Sequence, residues 1–308
     1  MTRNARSNAW LMLVRQAFLC FVVFGSCSGS WSDGIISVRD LRYRMPGTIP
    51  LPRRLPHAMT GSQFLDWTKS LSKSEREEAA FREFVAGNMP SFSRFLIPIT
   101  LKSKGRSQQS IRATVWVMPN YLAIGSDADH AIMPLNFYTA TRIARIWGFI
   151  LPTTKLVDEI YRQAQVKVPP SPIPPGPLME TNSYFIRHNE RVMAQLLGNP
   201  PHALVAGHKK DVVISNILNR RPGRIAIYGW HRNQSNPIQP LSTAHHAGYA
   251  DYSHGIRLVN GVMRVNGRLI SVYDALRNRE LHGLLSVEGP IINLGYMMAG
   301  YNGDGRRK

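Results

Sequence analysis

One stretch of the chain, from Arg224 to Leu258, concentrates side chains that can move protons or bind metals. It contains four of the ten histidines in the sequence. The candidate catalytic residues in it are His231, His245, Asp251, Ser253 and His254. Imidazoles and carboxylates are zinc ligands, and the same groups act as general acids and bases. This stretch is therefore the predicted centre of a functional site.

Three kinds of chemistry could use this cluster. In the first, a bound zinc ion activates a water molecule. The candidate zinc ligands are His231, His245, Asp251 and His254. In the second, Ser253 is a nucleophile with a histidine as its base, although the chain lacks a Gly-x-Ser-x-Gly turn. In the third, a histidine and an acid exchange protons without a metal.

Further polar residues could bind and orient a substrate. The candidates are His208, Lys210, Asp211, Tyr228, Trp230 and Arg257. Residues 208–211 lie between two apolar runs, so we expect them at the end of a strand, where a lysine could hold a negatively charged group. A secondary cluster of Asp127, Asp129 and His130 could bind a cation, or could end a strand and cap turns.

Two short motifs in the central stretch resemble known families. Residues 253–258, with the sequence Ser-His-Gly-Ile-Arg-Leu, resemble the active-site signature of L,D-transpeptidases. That family has a nucleophilic cysteine between the glycine and the apolar residue, and this chain lacks it. The resemblance therefore implies a site without thioester chemistry.

The second motif runs from His245 to Asp251. It resembles the Ser-x-His-x-x-Gly-x-Ala-x-Asp motif of zinc D,D-carboxypeptidases, except that Asp251 comes one residue early. A one-residue slip on a strand turns a side chain to the opposite face. Both resemblances imply chemistry on cell-wall peptides, and both are confined to this short part of the chain.

The charge and the first residues bear on location and partners. A formal net charge of +19 predicts attraction to polyanions such as anionic cell-envelope polymers or polysaccharides. Residues 1–29 have the basic start, short apolar run and small residues of a signal peptide, which predicts export. Cys27 could be a lipidated N-terminus, and this lipid anchor is the one predicted link to a membrane. Both cysteines, Cys20 and Cys27, lie in the leader, so a mature exported chain would have no catalytic thiol.

Nucleic acid is not the expected partner. The positive charges are scattered along the chain, and no helix-turn-helix, zinc-finger or aromatic ribonucleoprotein motif is present. The oligomeric state stays open.

The rest of the sequence predicts the fold class α+β, with a mixed sheet and flanking helices in one main domain at residues 60–300. A basic extended arm at 30–59 precedes the domain, and a basic tail at 301–308 follows it. The proline-rich run at 169–177 predicts a belt on the domain surface or a division into two lobes.

Apolar spacing predicts the individual elements. Helices are expected at 60–87, 139–147, 154–165, 182–197 and 274–285. Hairpins are expected over 95–118 and around Asn266 and Gly267, and a strand is expected at 256–259.

Together these observations predict an exported hydrolase of a cell-envelope or extracellular polymer that uses histidine and aspartate, with or without zinc. The alternative is a secreted basic protein without catalysis. Such a protein would bind an anionic polymer or a glycan through its aromatic and basic side chains.

Overall fold

The computed structural model describes residues 47–49, 51–105, 108–234 and 236–300. The predicted leader, residues 30–46 of the predicted arm and the basic tail lie outside the described residues. The described residues belong to one compact unit and have the predicted α+β class, in which helices flank mixed sheets. No described helix is both long enough and apolar enough to cross a membrane.

The longest connections within the domain are residues 168–181, before the fifth helix, and residues 243–253, before the eleventh strand. The helices are α1 (Gly61–Trp67), α2 (Lys73–Val85), α3 (Phe137–Trp147), α4 (Thr154–Gln163), α5 (Asn182–Leu196), α6 (Ile217–Arg220), α7 (Val272–Arg277), α8 (His282–Leu285) and α9 (Leu294–Met298). The strands are β1 (Ile97–Lys104), β2 (Ser110–Val117), β3 (Ala123–Gly125), β4 (His130–Ile132), β5 (Phe149–Ile150), β6 (Val166–Lys167), β7 (Val205–Ala206), β8 (Lys210–Val213), β9 (Ala226–Asn233), β10 (Asn236–Ser242), β11 (His254–Gly255), β12 (Val259–Val265) and β13 (Arg268–Ser271). Short 3-10 helices at Thr68–Ser70 and Ser91–Arg94 follow α1 and precede β1.

Two sheets organise these strands. The first has the order β1-β2-β12-β13, and β5 also pairs with β12. The second has the order β10-β9-β8-β11, in which β11 runs parallel to β8. The chain passes directly from β11 of the second sheet to β12 of the first. The site that β11 helps to build is therefore joined to the larger sheet by only three residues.

The connection between β11 and β12 differs from the prediction. The strand expected at 256–259 begins only at Val259. Ile256 and Leu258 instead accept backbone hydrogen bonds from Leu122 and Met118. These bonds fix the connection in extended form between the two sheets without making it part of either ladder.

Several local predictions are confirmed. Both hairpins are present, β1 with β2 and β12 with β13. Helices α3, α4 and α5 match their predicted ranges, with ends that differ by at most two residues. Asn136 caps α3 and Thr153 caps α4, because each side chain accepts a backbone N–H of the first turn.

Two predicted helices are wrong because each is divided. The helix expected at 60–87 is two helices, α1 and α2. The second begins after Ser72, because the side chains of Ser72 and Glu75 each accept the other's backbone N–H in a capping box. The helix expected at 274–285 splits into α7 and α8. The side chain of Asn278 accepts the backbone N–H groups of Glu280 and Leu281 there, which holds a turn between the two helices.

One apolar core joins both sheets to the helices. Its buried members include Val115 of β2, Val212 of β8, Ile143 of α3 and Phe185 of α5. Burial of each such side chain contributes about 1.5–3 kcal/mol. The strands that carry the polar clusters thus have a rigid support.

The proline-rich run lies between α5 and the turn before β11. Arg191 and Gln195 of α5 donate to the carbonyl oxygens of Pro172 and Pro169. The backbone N–H of Ile173 donates to the Tyr252 hydroxyl at 2.8 Å, and that hydroxyl donates to the Ile173 carbonyl oxygen at 2.9 Å. Tyr252 therefore fastens the run to the candidate site.

Candidate functional site

Strand pairing sets His254 beside Lys210. The antiparallel pairing of β8 and β9 places Lys210 opposite Gly229, and the parallel pairing of β8 and β11 places His254 opposite Lys210. Neighbouring residues on a strand point to opposite faces. Lys210 and His254 therefore share one side of the sheet, and Asp211 points to the other.

His254 is a buried histidine with unused ring nitrogens. It has no exposed surface, and neither Nδ1 nor Nε2 has a hydrogen-bond partner among the described residues. Burial lowers the pKa of His254 to about 4, although the charge of Asp251 opposes this effect. The imidazole is therefore neutral at pH 7 and can accept a proton.

Asp251 is held as a carboxylate by its own turn. Its Oδ1 accepts hydrogen bonds from the Ser253 backbone at 2.8 Å and the Ser253 hydroxyl at 2.5 Å. Its Oδ2 accepts the Tyr249 hydroxyl at 3.1 Å. Burial raises the pKa of Asp251, but interaction with a protonated His254, the charge of Lys210 and the bonds from Ser253 lower it overall. An ionised aspartate thus stands beside a neutral histidine.

The partly exposed residues of this cluster are His245, Tyr249 and Lys210. The rings of His245 and Tyr249 stack with centroids 3.9 Å apart and an angle of 11°. Lys210 Nζ lies 5.1 Å from the centroid of the Trp230 ring. Burial lowers the pKa of His245, and the nearby Asp251 raises it. Solvent therefore reaches the cluster on the side of these three residues.

The hydroxyl of Ser253 holds the turn that contains Asp251. The side chain is fully buried, and its hydroxyl donates to Asp251. A serine nucleophile needs its hydroxyl hydrogen-bonded to a histidine or another base that activates it, whereas the Ser253 hydroxyl holds the Asp251 carboxylate. The position of Ser253 suits a turn residue that anchors Asp251.

A second polar group is buried around Asp211. The Tyr121 hydroxyl donates to Asp211 Oδ2 at 2.9 Å, and Arg257 Nε lies 3.9 Å from Oδ1. Arg257 also donates to the carbonyl oxygens of Met118 and Val205. Burial raises the pKa of Asp211 to about 6, and the charge of Arg257 opposes that rise.

His208 belongs to the same buried group. Its Nε2 lies 3.1 Å from Asn120 Oδ1, and its ring meets the Tyr121 ring edge-on with centroids 4.9 Å apart. Three residues predicted to bind substrate, His208, Asp211 and Arg257, are thus buried and make polar contacts within the protein, although His208 Nδ1 and Asp211 Oδ1 have no hydrogen-bond partner among the described residues. Their contacts link β7, β8 and the segment after β11.

His231 makes its contacts in a third group. Its Nε2 is 3.0 Å from Asp158 Oδ1, which also accepts the Tyr228 hydroxyl at 2.9 Å. The His231 ring stacks on Tyr161 with centroids 4.6 Å apart. The structure therefore places Tyr228 and His231 with α4, and it places Asp251, His254 and His245 together.

No three or more His, Cys, Asp or Glu side chains in the described part of the chain are arranged to hold a metal ion. Of the four candidate ligands, His245, Asp251 and His254 lie in one cluster, while His231 is bonded to Asp158. Both carboxylate oxygens of Asp251 already accept hydrogen bonds. Zinc at this cluster stays a prediction.

The secondary cluster consists of turn residues. Asp127 accepts the backbone N–H and the hydroxyl of Ser91, and Asp129 accepts the same two groups of Ser62. The His130 ring packs edge-on against Phe92, with centroids 5.3 Å apart. The two aspartates thus cap the starts of nearby helical turns, which was the second of the two interpretations offered for them.

Several neighbours of these groups lie outside the central stretch and were not predicted as site residues. His188 on α5 is fully buried, and neither of its ring nitrogens has a hydrogen-bond partner in the part of the chain that the structure describes. Its signal in the sequence was its place three residues after Phe185, on the buried face of the helix. Tyr121 and Asp158 lie far from the central stretch, so no local pattern connects them with it.

Two cavities lie away from all three groups. One, of about 470 Å³, is lined by Lys104, Gly105, Arg279, Glu280, His282, Gly283 and Pro290. The other, of about 450 Å³, is lined by Ser62, Gln63, Leu65, Asp66, Lys69, Ala131, Ile186, Asn189 and Glu190. The candidate site is thus defined by its side-chain chemistry and not by either cavity.

Comparison with known proteins adds no assignment. No protein-family model, no curated protein and no solved structure matches this chain. The function must therefore be argued from the residues themselves.

Proposed function

We propose that this chain is an exported hydrolase that cleaves an acyl bond in a cell-envelope or extracellular polymer by acid and base catalysis. The observation that supports the proposal is the buried, ionised Asp251 beside a neutral His254 whose ring nitrogens are both unbonded. A general base needs a free lone pair and a neighbour that stabilises its protonated form. His254 and Asp251 supply these two properties.

The proposed reaction follows from their positions. A water oxygen attacks the carbonyl carbon while His254 accepts one of the water protons. The resulting imidazolium is stabilised by Asp251 while the tetrahedral intermediate exists. The intermediate then collapses, and the leaving amine or alcohol takes the proton from His254. His245, at the exposed edge, exchanges protons with solvent.

The choice of substrate class rests on the sequence. The formal charge of +19 favours contact with anionic polymer, and the leader predicts that the chain meets such polymers outside the cytoplasm. The two cell-wall motif resemblances agree with this location. No described residue bears on export itself.

The experiment is hydrolysis of isolated envelope polymer by the purified chain. New amino and carboxyl ends are followed over time by mass spectrometry, with wild type compared to His254→Gln. Loss of a general base lowers the rate by about 10²–10⁴-fold. His202→Gln is the matched control, because His202 is exposed and contacts Phe95 away from the site. Equal rates for wild type and His254→Gln would reject the proposal.

One specific observation favours a second candidate function. The stacked pair of His245 and Tyr249 and the approach of Lys210 to Trp230 form an aromatic and basic surface. A protein that binds an anionic polymer or a glycan without cleaving it could use such a surface. In the same assay, polymer that sediments with the protein and gains no new ends would favour this function.

A further inference from the structure

Three aromatic rings meet beside the turn that carries Asp251. The ring centroids of His188 and Tyr252 are 5.0 Å apart, and those of His188 and Trp230 are 6.5 Å apart. Trp230 and Tyr252 also meet edge-on at 6.5 Å. Because Tyr252 directly follows Asp251 in the chain, this group of rings adjoins the proposed catalytic residues.

Two of these rings, those of Trp230 and His188, have polar atoms without hydrogen-bond partners among the described residues, whereas the Tyr252 hydroxyl is bonded to Ile173. Trp230 is 6% exposed and His188 is 0% exposed. Neither Trp230 Nε1 nor either ring nitrogen of His188 makes a hydrogen bond among the described residues. Buried polar atoms are nearly always paired in native proteins, and an unpaired indole N–H can only donate. An acceptor is therefore missing at Trp230.

Two lysines add further donors around the rings. Lys209 is buried, and its Nζ donates to the Tyr252 carbonyl oxygen at 2.6 Å. Lys210 Nζ lies over the Trp230 ring. The carboxylate of Asp251, which interacts with both lysines, already accepts bonds from Ser253 and Tyr249. Donors and positive charge thus exceed acceptors.

We infer that Trp230, His188 and Lys210 form a subsite that binds a carboxylate group of the substrate. A carboxylate has two acceptor oxygens and one negative charge, so it matches both the unpaired N–H groups and the excess of lysine. The inference rests on the proposed function, because it places an acidic group of the polymer next to the bond that His254 attacks. It assigns the substrate class as a polymer with free carboxylates.

Acetate binding to the full chain tests this subsite without any turnover. The indole N–H resonance of Trp230 is identified by its disappearance in Trp230→Phe, and it is followed during titration with acetate and with acetamide at constant ionic strength. We expect a saturable shift with acetate and none with acetamide. Lys210→Met should weaken acetate binding by about tenfold, which corresponds to one charge-assisted hydrogen bond.

The matched control is Lys69→Met, since Lys69 is an exposed lysine whose ion pair is with Asp66. It should leave acetate binding unchanged. Three results would overturn the inference. The first is the absence of a saturable shift up to about 100 mM acetate, which is a weak-binding limit for a single small anion. The other two are an equal response to acetamide and unchanged acetate binding in Lys210→Met. If acetate binds and no polymer is cleaved, the subsite stands and the proposed hydrolysis fails.

Discussion

Glu77 should make the stability of this protein fall as the pH rises. It lies on α2 and is 8% exposed. Its Oε1 accepts the backbone N–H of Asn136 at 3.0 Å, and among the described residues its Oε2 has no partner within hydrogen-bond distance and geometry. Burial raises the pKa of Glu77 from 4.5 to about 7, although hydrogen bonds from Thr139 and Asn136 and the charge of Arg76 oppose that rise.

The sign and size of the effect follow from proton linkage. Between pH 4.5 and 7 the folded chain keeps the Glu77 proton that the unfolded chain has lost, so the free energy of unfolding falls as the pH rises. At about 1.4 kcal/mol per pH unit, this pKa difference costs about 3 kcal/mol by pH 8. Glu77→Gln is uncharged at every pH and avoids this loss.

Urea unfolding followed by circular dichroism from pH 4 to pH 8 measures the effect. We expect the stability of Glu77→Gln relative to wild type to increase by about 3 kcal/mol across that range. Glu78→Gln is the matched control. Glu78 is 40% exposed, and its pKa is lowered overall, because the bonds and charges of Arg142 and Arg82 outweigh partial burial. Its variant should change little, with the opposite sign. A flat or falling difference for Glu77→Gln would refute the reasoning.

Three further predictions concern the buried groups and the metal. Arg257→Met leaves Asp211 buried without its positive neighbour. In urea melts it should therefore lower the free energy of unfolding by about 3–5 kcal/mol. A loss below about 1 kcal/mol would show that Arg257 is dispensable for folding. Gly255→Ala places a methyl group 2.6 Å from the Tyr121 ring and 2.7 Å from Lys209 Cβ. It should therefore lower the free energy of unfolding by about 1–3 kcal/mol. An unchanged melting temperature would contradict that close approach. Treatment with a chelator should leave polymer hydrolysis unchanged if His254 acts as a metal-free base, while activity lost with chelator and restored by zinc would favour the metal route.

Local signals predicted the parts of the fold that depend on neighbouring residues. The turn at Asn266 and Gly267 could be predicted because an Asn-Gly pair readily adopts the positive φ angles that a tight hairpin requires. The two residues adopt φ angles of 46° and 86°. The break before α2 also had a local signal, the Ser72 to Glu75 capping-box pattern. The run of apolar residues on both sides outweighed that signal, which made the predicted helix too long.

Which residues lie together in the site could not be predicted from local sequence patterns, because the contacts join residues that are far apart in the chain. His231 was grouped with His245 and His254 because the three lie in one stretch, yet its partner Asp158 is 73 residues away on α4. Likewise, the parallel pairing of β8 with β11 brings Lys210 beside His254 across 44 residues of chain. The polar residues could be named from the sequence, but their division into three groups required the sheet topology.

The rate of polymer hydrolysis by Asp251→Asn would show whether His254 acts as a base supported by the Asp251 carboxylate. Asparagine keeps an oxygen that can accept the Ser253 bonds, and it removes the charge that stabilises a protonated His254. The account predicts that kcat falls by about 10²–10⁴-fold while KM changes little. A kcat within about twofold of wild type, from a variant with an unchanged circular dichroism spectrum, would contradict it.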